Sequence, residues 1–450
     1  MENKESLDCA AYTEHLVGVN ESKQVIATED IYNNQGAKIV SKGSPITHSV
    51  AQQILRFKLT KPLHDSIEIE NKLSGDELFV HFQKLLKALP SFQKINDVYL
   101  MDPIVQAECH FIYQYPLLQQ KLTVLSVQLP KLFAQTIVTT WLSVLIARKM
   151  DLDAEGIRAT FIAALAHDLG MLHISTEITS KTSRLTNDEW KHIQAHSLVS
   201  YEIMKCVKNL PEGAARAVLE HHEQSDGTGY PKGLAKDSLS LIGQIIALSD
   251  SVIAIYTNRL IPNKRSLRDV MPIIQISSAS HLYETYDALI TILRNAHLPD
   301  QGVISSAQMI SFIDDLLHQN KKLNDSINAY DHLLKTLPKL SQDRTCNQAH
   351  ALYSSLSLAI RGSGILNAGY VRWLDQVREE TLVFAGREVE DVFLMMEEAE
   401  FQLGKLRRLI ANYQVAIDCS EKDKETIATC FCTLEEIDKR QEASAMEFTL

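Results

Sequence analysis

HHEQSDGTGYP, residues His221 to Pro231, is the stretch on which the rest of the chain turns. It closes the apolar helical pattern AARAVLE and runs into a loop where Asp226, Gly227, Gly229 and Pro231 are all turn formers, with Tyr230 between the last two. A plain turn would use the same loop residues. The two imidazoles ahead of it are harder to place, because they end an apolar segment and need polar partners. Working outward, two more places put ionisable groups in apolar surroundings: His167-Asp168 ends the run FIAALA, and Asp250 lies inside IIALSDSVIAI. Gly170 reads as the C-cap of the first of these helices. Burying such groups costs roughly several kcal/mol unless partners compensate. The middle helices supply ligand-type side chains at His167-Asp168, His196, His221-His222, Asp226 and Asp250, and one shared metal cluster would settle all three anomalies, since imidazole and carboxylate suit iron, manganese and zinc. A solitary His is more often a satisfied core or surface group, and His173, His192 and His297 are read that way.

The helical period extends from about Glu77 to Ala296, through LFVHFQKLLKAL, KLFAQTIVTTWLSVLIARKM, AEGIRATFIAALAHDL, NDEWKHIQAHSLVSYEIMKCV and EGAARAVLEHHE. Ahead of it, QVIATEDIY and AKIVSKGSPIT read as short strands around the turn Asn33-Asn34-Gln35-Gly36, HSVAQQILRFKL as a helix and SIEIE as a further strand. After about Ser305 the pattern is helical again, with acidic and basic residues spaced as on the solvated face of a bundle. The expected fold is mainly α. A poorly ordered leader covers 1–22, a small α+β module 23–75, a central all-helical domain 76–300 and a C-terminal helical domain 301–450.

A chain of 450 residues exceeds one ordinary core, and 45% apolar with 22% charged residues matches a globular protein. The formal charge of −11 argues against nonspecific DNA binding, which wants a basic surface, but leaves room for a small anion at a metal cluster. Seven scattered cysteines make no disulfide framework, and Cys430 with Cys432 read as two half-buried helix residues, not a zinc site. The N-terminus lacks a basic start and an apolar core, and no apolar run reaches about 18 residues. Neither a signal peptide nor membrane insertion is expected, and the bacterial cytoplasm is the expected compartment.

HDLG, HSLVSYEIM, HHEQSDGTGYPKGL and SDSVIAI, in that order, resemble the successive signatures of HD-GYP phosphodiesterases. The 29 residues from His167 to His196, and the 29 from His221 to Asp250, also resemble the family's spacing, over about residues 125–300. The resemblance implies a helical domain that holds two divalent ions, iron or manganese, and hydrolyses cyclic di-GMP to pGpG or GMP. It implies that Asp168 bridges the ions, that His167 and Asp250 help hold one, and that His196, His221 and His222 complete the cluster. Arg259 falls where the family has a phosphate-contacting Arg, so Asp168 and Arg259 are the expected catalytic groups. The loop of Asp226, Gly227, Gly229, Tyr230 and Pro231 corresponds to a lip beside the cluster, tied in the family to substrate access or to contact with GGDEF-domain diguanylate cyclases.

Several positions depart from the pattern. Gln135 stands where the family's upstream helix carries a His, and Lys131 where three-metal members place a Glu. Met171 replaces the usual lysine after the His-Asp pair, Ile253 replaces a second Asp, and Pro262 a basic residue. Two readings stay open: a cyclic di-GMP phosphodiesterase of reduced activity, and a degenerate HD-GYP domain acting as a metal- or nucleotide-binding regulatory protein. The missing groups favour the second. The six remaining ligand types favour the first, because a scaffold has no reason to keep buried charges that cost stability. Hydrolysis of another phosphorylated nucleotide by a generic HD fold is a weaker third. The C-terminal helices carry no ligand cluster and are expected to serve partner contact or homo-oligomerisation.

Overall fold

In the computed structural model, which describes residues 10–183, 185–338, 343–380, 382–417 and 419–447, the chain is mainly α-helical. The first helix, α1 (Ala10–Asn20), corrects the second half of the expected leader. Tyr12, Leu16 and Val19 form one helical stripe and are fully buried, which an unstructured leader would not be. Residues 1–9 of that leader lie outside the described residues.

The small module follows as expected. Its strands are β1 (Val25–Ala27), β2 (Ile31–Tyr32) and β3 (Lys38–Val40), then helix α2 (His48–Leu55) and strand β4 (Ile67–Ile69). Strands β1 and β4 pair antiparallel with Ile26 opposite Glu68, and β2 pairs antiparallel with β3. Asn33 makes the turn, its Oδ1 accepting from the amides of Gln35 (3.0 Å) and Ala37 (2.8 Å).

The central helices are α3 (Gly75–Ala88), α4 (Pro90–Tyr99), α5 (Asp102–His110), α6 (Pro116–Gln128), α7 (Pro130–Lys149) and α8 (Ala154–Ala166). Helices α4 to α7 all carry Pro in their first two positions, where no backbone donor is lost. Helix α7 runs through the core with Ile137, Trp141 and Leu145 fully buried, and the Trp141 indole donates to Asn96 Oδ1 at 2.9 Å. Then come α9 (Thr176–Thr179), α10 (Asn187–Gln194), α11 (His196–Cys206), α12 (Ala214–Glu220) and α13 (Leu241–Ile255). The single helix expected from Asn187 to Val207 breaks at Ala195, and His196 opens the second piece. Two stretches, Pro130–Lys149 and Leu241–Leu260, are long and apolar enough to cross a bilayer by length and composition. Burial of 72% of the α7 window explains its apolarity by packing, and the second stretch carries Asp250.

The last helices are α14 (Val270–Ile276), α15 (Tyr283–Asn295), α16 (Met309–Thr336), α17 (Arg344–Ser363), α18 (Ala368–Glu380), α19 (Gly386–Gln414) and α20 (Glu421–Glu447). The chain packs as two units. One runs to Glu223 and takes in Tyr230–Lys232 and Ser238–Ile253; the other comprises Gln224–Gly229, Gly233–Asp237 and everything from Ala254. The packing boundary thus falls earlier than the expected 300/301. The reason is apolar: Ile276 of α14 belongs to the same core as Ile313, Leu356 and Leu406. Within α20, Cys430 is buried and Cys432 exposed, and the six described cysteines are all free thiols.

Candidate metal centre

Each chemistry-bearing histidine sits at a helix end, where the backbone turns and the side chain can point off the helix axis. Helix α8 is buried from Ala159 to Ala166 and is terminated by His167, with Asp168 following. His196 is the first residue of α11, and His221 terminates α12, with His222 next. Gly170 is not the left-handed cap expected of it. It lets two segments touch: a Cβ there would lie 2.1 Å from the His196 carbonyl oxygen. Its amide also donates to Ser200 Oγ at 2.7 Å, so the backbone after Asp168 is fastened to α11.

In all three of these histidines the Nδ1 lies 2.6 Å from the carbonyl oxygen three residues earlier, at Ala164, Ile193 and Val218. A carbonyl only accepts, so each Nδ1 carries the hydrogen, and the neutral ring's lone pair is left on Nε2. The Nε2 atoms converge. His196 Nε2 is 3.2 Å from that of His221 and 3.1 Å from that of His222. Asp168 Oδ1 is 3.2 Å from His196 Nε2 and 3.9 Å from His221 Nε2, and its Oδ2 is 3.3 Å from His167 Nε2. Ligand atoms of Asp168, His196, His221 and His222 lie within 4.8 Å of one another. His167 extends the group to Asp250, whose Oδ1 is 3.9 Å away.

The electrostatics of this donor set fit a cation. Burial, then the neighbouring imidazoles, hold His221 well below the usual histidine range and His222 down at about 3, so both stay neutral as metal ligands must. Neutral nitrogens facing one another lone pair to lone pair have no hydrogen to share; a cation between them removes the conflict. Burial works to raise the Asp168 carboxyl, but His167 and His196 hold it well below the ordinary range. Burial likewise works to lower His167, and Asp168, with Asp250 behind it, outweighs that and lifts it to about 9. Burial pushes Asp250 up to about 6. The carboxylates therefore draw positive charge to the same place where the imidazoles offer lone pairs.

Residues 117–285 match the family model of the HD domain. The chain carries an HD domain. Its likeness to curated proteins is of the same extent. It is 33% identical over 116 residues to the cyclic di-GMP phosphodiesterase response regulator RpfG of Xanthomonas campestris pv. campestris, covering 26% of this chain and 31% of that protein. It is 32% identical over 145 residues to a cyclic di-GMP phosphodiesterase of Thermotoga maritima, covering 32% and 39%. It is 38% identical over 97 residues to 3'3'-cGAMP-specific phosphodiesterase 3 of Vibrio cholerae, covering 22% and 21%. The chain thus spans about a fifth to two-fifths of the length of these relatives.

The divergent positions differ in burial. Gln135 is half-buried near the start of α7 and Lys131, one turn earlier, is exposed. Met171 lies in the short turn after Asp168, partly buried, and Ile253 is buried on α13. Tyr230 of the glycine-rich loop stacks on His222 with ring centres 4.6 Å apart, and its amide donates to the His222 carbonyl at 3.1 Å. The Lys232 amide donates to the buried Glu223 at 2.6 Å. Arg259 lies on a π-helical turn, Tyr256–Leu260, a local widening frequent at functional sites. Its Nη1 is 2.5 Å from Glu398 Oε2. Glu398, and the residues Arg344, Gln348 and Lys405 that hold the loop, give no sign in the sequence, where they sit among the ordinary charges of amphipathic helices.

Proposed function

We propose that this chain is a metal-dependent phosphodiesterase that opens a cyclic dinucleotide, cyclic di-GMP before others, to pGpG or GMP. The gathering of the His196, His221 and His222 ring nitrogens beside the Asp168 carboxylate carries the reading, and the relatives named for cyclic di-GMP and 3'3'-cGAMP hydrolysis support the substrate class. His167, Asp168, His196, His221, His222 and Asp250 would hold two divalent ions, iron or manganese. Bound there, such ions supply Lewis acidity toward a phosphodiester and toward an attacking water. The chain's own residues do the rest. Asp168 stays ionised and supplies negative charge at the centre, the carbonyls behind His167, His196 and His221 fix the ring orientations, and Tyr230 covers the His222 face. Arg259 is the group proposed to meet a substrate phosphate.

A second reading, a degenerate domain that binds metal or nucleotide for regulation, is favoured by one observation: Arg259 is already paired with Glu398. One experiment separates the two. The protein is purified anaerobically, its bound metal is measured, and it is incubated with cyclic di-GMP and, in parallel, 3'3'-cGAMP. Metal together with linear product supports the enzyme. Nucleotide binding without product supports the regulatory reading, absence of metal from protein prepared with iron and manganese sinks the enzyme, and absence of both metal and nucleotide binding sinks both.

A further inference from the structure

The loop Gln224–Gly229 leaves the metal-binding residues at Glu223 and rejoins them at Tyr230, so its two ends are bonded to the residues that flank His222 in the centre. Its middle is held by helices outside the HD domain's matched region. The start of α17 is fixed by Asp343, whose side chain accepts from the amides of Thr345 and Cys346. From that first turn Arg344 donates to the Gly229 carbonyl at 3.1 Å, and one turn on Gln348 donates to the Gly227 carbonyl at 2.8 Å. From α19 the Lys405 ammonium donates to Gln224 Oε1 at 2.6 Å and to the Thr228 hydroxyl at 3.0 Å. Gly227 and Gly233 both have positive φ, and a Cβ on Gly233 would lie 1.8 Å from an Arg344 guanidinium nitrogen. Both glycines are therefore required by conformation, and Gly233 also by the close approach of Arg344. Asp226 closes the arrangement, accepting from the Thr228 amide at 2.9 Å and from Ser280 Oγ at 3.2 Å.

These contacts are polar and directional, and two of them end on backbone carbonyls, which a generic packing surface would leave to water. Those two carbonyls, of Gly227 and Gly229, bracket the turn immediately before Tyr230. We propose that Arg344, Gln348 and Lys405 are positioning residues: by fixing the Gln224–Gly229 loop they set the placement of Tyr230, and through it the affinity of the centre for a cyclic dinucleotide. The proposal rests on reading the centre as a cyclic-dinucleotide site. Burial lowers the Lys405 amine from its ordinary value and Asp226 works against that, as for a group withdrawn from solvent. Loss of these contacts releases Gln224, Gly227, Thr228 and Gly229 from the helices, next to Tyr230, while the bonds of Ser225 and Asp226 to Ser280 and every ligand of the metal cluster stay in place.

The test uses the full chain with Arg344→Ala, Lys405→Met and the pair combined. Arg344→Lys serves as the conservative variant and Arg361→Ala, exposed on the same helix, as a control. Amide hydrogen exchange at 224–230, metal content and the kinetics of cyclic di-GMP hydrolysis are measured on each. The expected result is loss of exchange protection at 224–230, including the Tyr230 amide, with metal content unchanged. KM should rise ~10-fold in the double variant with kcat within ~3-fold, the pattern of lost binding and not lost chemistry. Arg344→Lys should recover part of KM, and Arg361→Ala should match wild type. Unchanged protection at Tyr230, or a loosened loop with unchanged KM, overturns the proposal. A wild-type protein that binds metal but turns over no cyclic dinucleotide overturns the proposed function instead, and the Tyr230 exchange result then decides the positioning role alone.

Discussion

Two regions of this molecule bury charge, and they do so in opposite ways. In the helices after Ala254, Arg265 lies 2.7 Å from Glu390, whose other oxygen accepts from the Ile304 amide at 2.8 Å. Arg387 pairs with Asp269 and, at 2.8 Å, with Asp300, and Arg268 with Asp300 at 2.9 Å and with Asp391. Each cation there faces an anion. Around His196 the arrangement is nitrogen against nitrogen, with the Nε2 atoms of His221 and His222 3.2 and 3.1 Å away and the Asp168 carboxylate beside them. In the first network every cation has a carboxylate within reach, and it reads as structural. In the second, a bound cation would supply what the facing nitrogens lack. Burial of ionisable groups alone therefore does not mark a site; whether each group faces one of opposite character does.

The sharpest way to break this comparison is to remove one member from each region. Asp168→Ala should abolish hydrolysis and remove most bound metal, read by elemental analysis on protein prepared with iron and manganese. Chelation should lower the unfolding free energy of wild type by about 3 kcal/mol where metal had been at ~100 times its dissociation constant, and leave Asp168→Ala unaffected. Glu390→Ala should behave the other way. It takes the nearer anion from buried Arg265 and leaves only Asp269, 3.8 Å away, so a loss of about 3 kcal/mol in denaturant unfolding is expected, with metal per folded protein unchanged. Metal loss in Glu390→Ala, or none in Asp168→Ala, would erase the distinction between the two regions.

The candidate metal centre was legible in the sequence because its residues break local rules. An His-Asp pair after FIAALA, and an Asp inside IIALSDSVIAI, contradict the apolar pattern around them, and spacing then relates the segments. The mainly helical fold and the small strand module were legible from periodicity and from the Asn33 turn. Helix α1 was not, because its stripe of Tyr12, Leu16 and Val19 is interrupted by Thr13, Glu14 and His15 and carries no capping signal. Gly170 was assigned a cap because sequence shows that a residue is small but not what approaches it. The loop contacts of Arg344, Gln348 and Lys405 were invisible for a related reason. They end on backbone carbonyls and on Gln224 and Thr228, so no complementary charge in the sequence announces them.

A milder change sharpens the metal side of the comparison. Gln135 offers an uncharged amide where the resemblance implies an imidazole, and Lys131 adds positive charge one helical turn away. Gln135→His, alone or with Lys131→Glu, should raise metal content and turnover together by a few-fold, roughly the effect of one improved donor on occupancy. The gain should shrink at saturating metal. A variant that binds a full complement of metal and gains no turnover would shift the block to Met171 and Ile253.

The smallest expected effect tests the one pair that belongs to neither class. Arg259 and Glu398 balance each other like the structural network, yet the Arg259 side chain is 30% exposed and occupies the position where the resemblance implies a phosphate contact. Glu398 is the fixed partner: its side chain is 4% exposed, and its Oε1 accepts from Gln402 at 2.7 Å. A substrate phosphate must then compete with a carboxylate already in place. Glu398→Gln removes the competing charge while keeping the side-chain shape and an acceptor for Gln402. A pair with one partly exposed partner is worth at most about 1 kcal/mol, so KM for cyclic di-GMP should fall by about 2- to 5-fold at low salt, with the difference narrowing as salt screens both attractions. Metal content should not change. An unchanged KM would place Arg259 with the structural pairs, and a higher KM would make Glu398 the group that aims Arg259 at its phosphate.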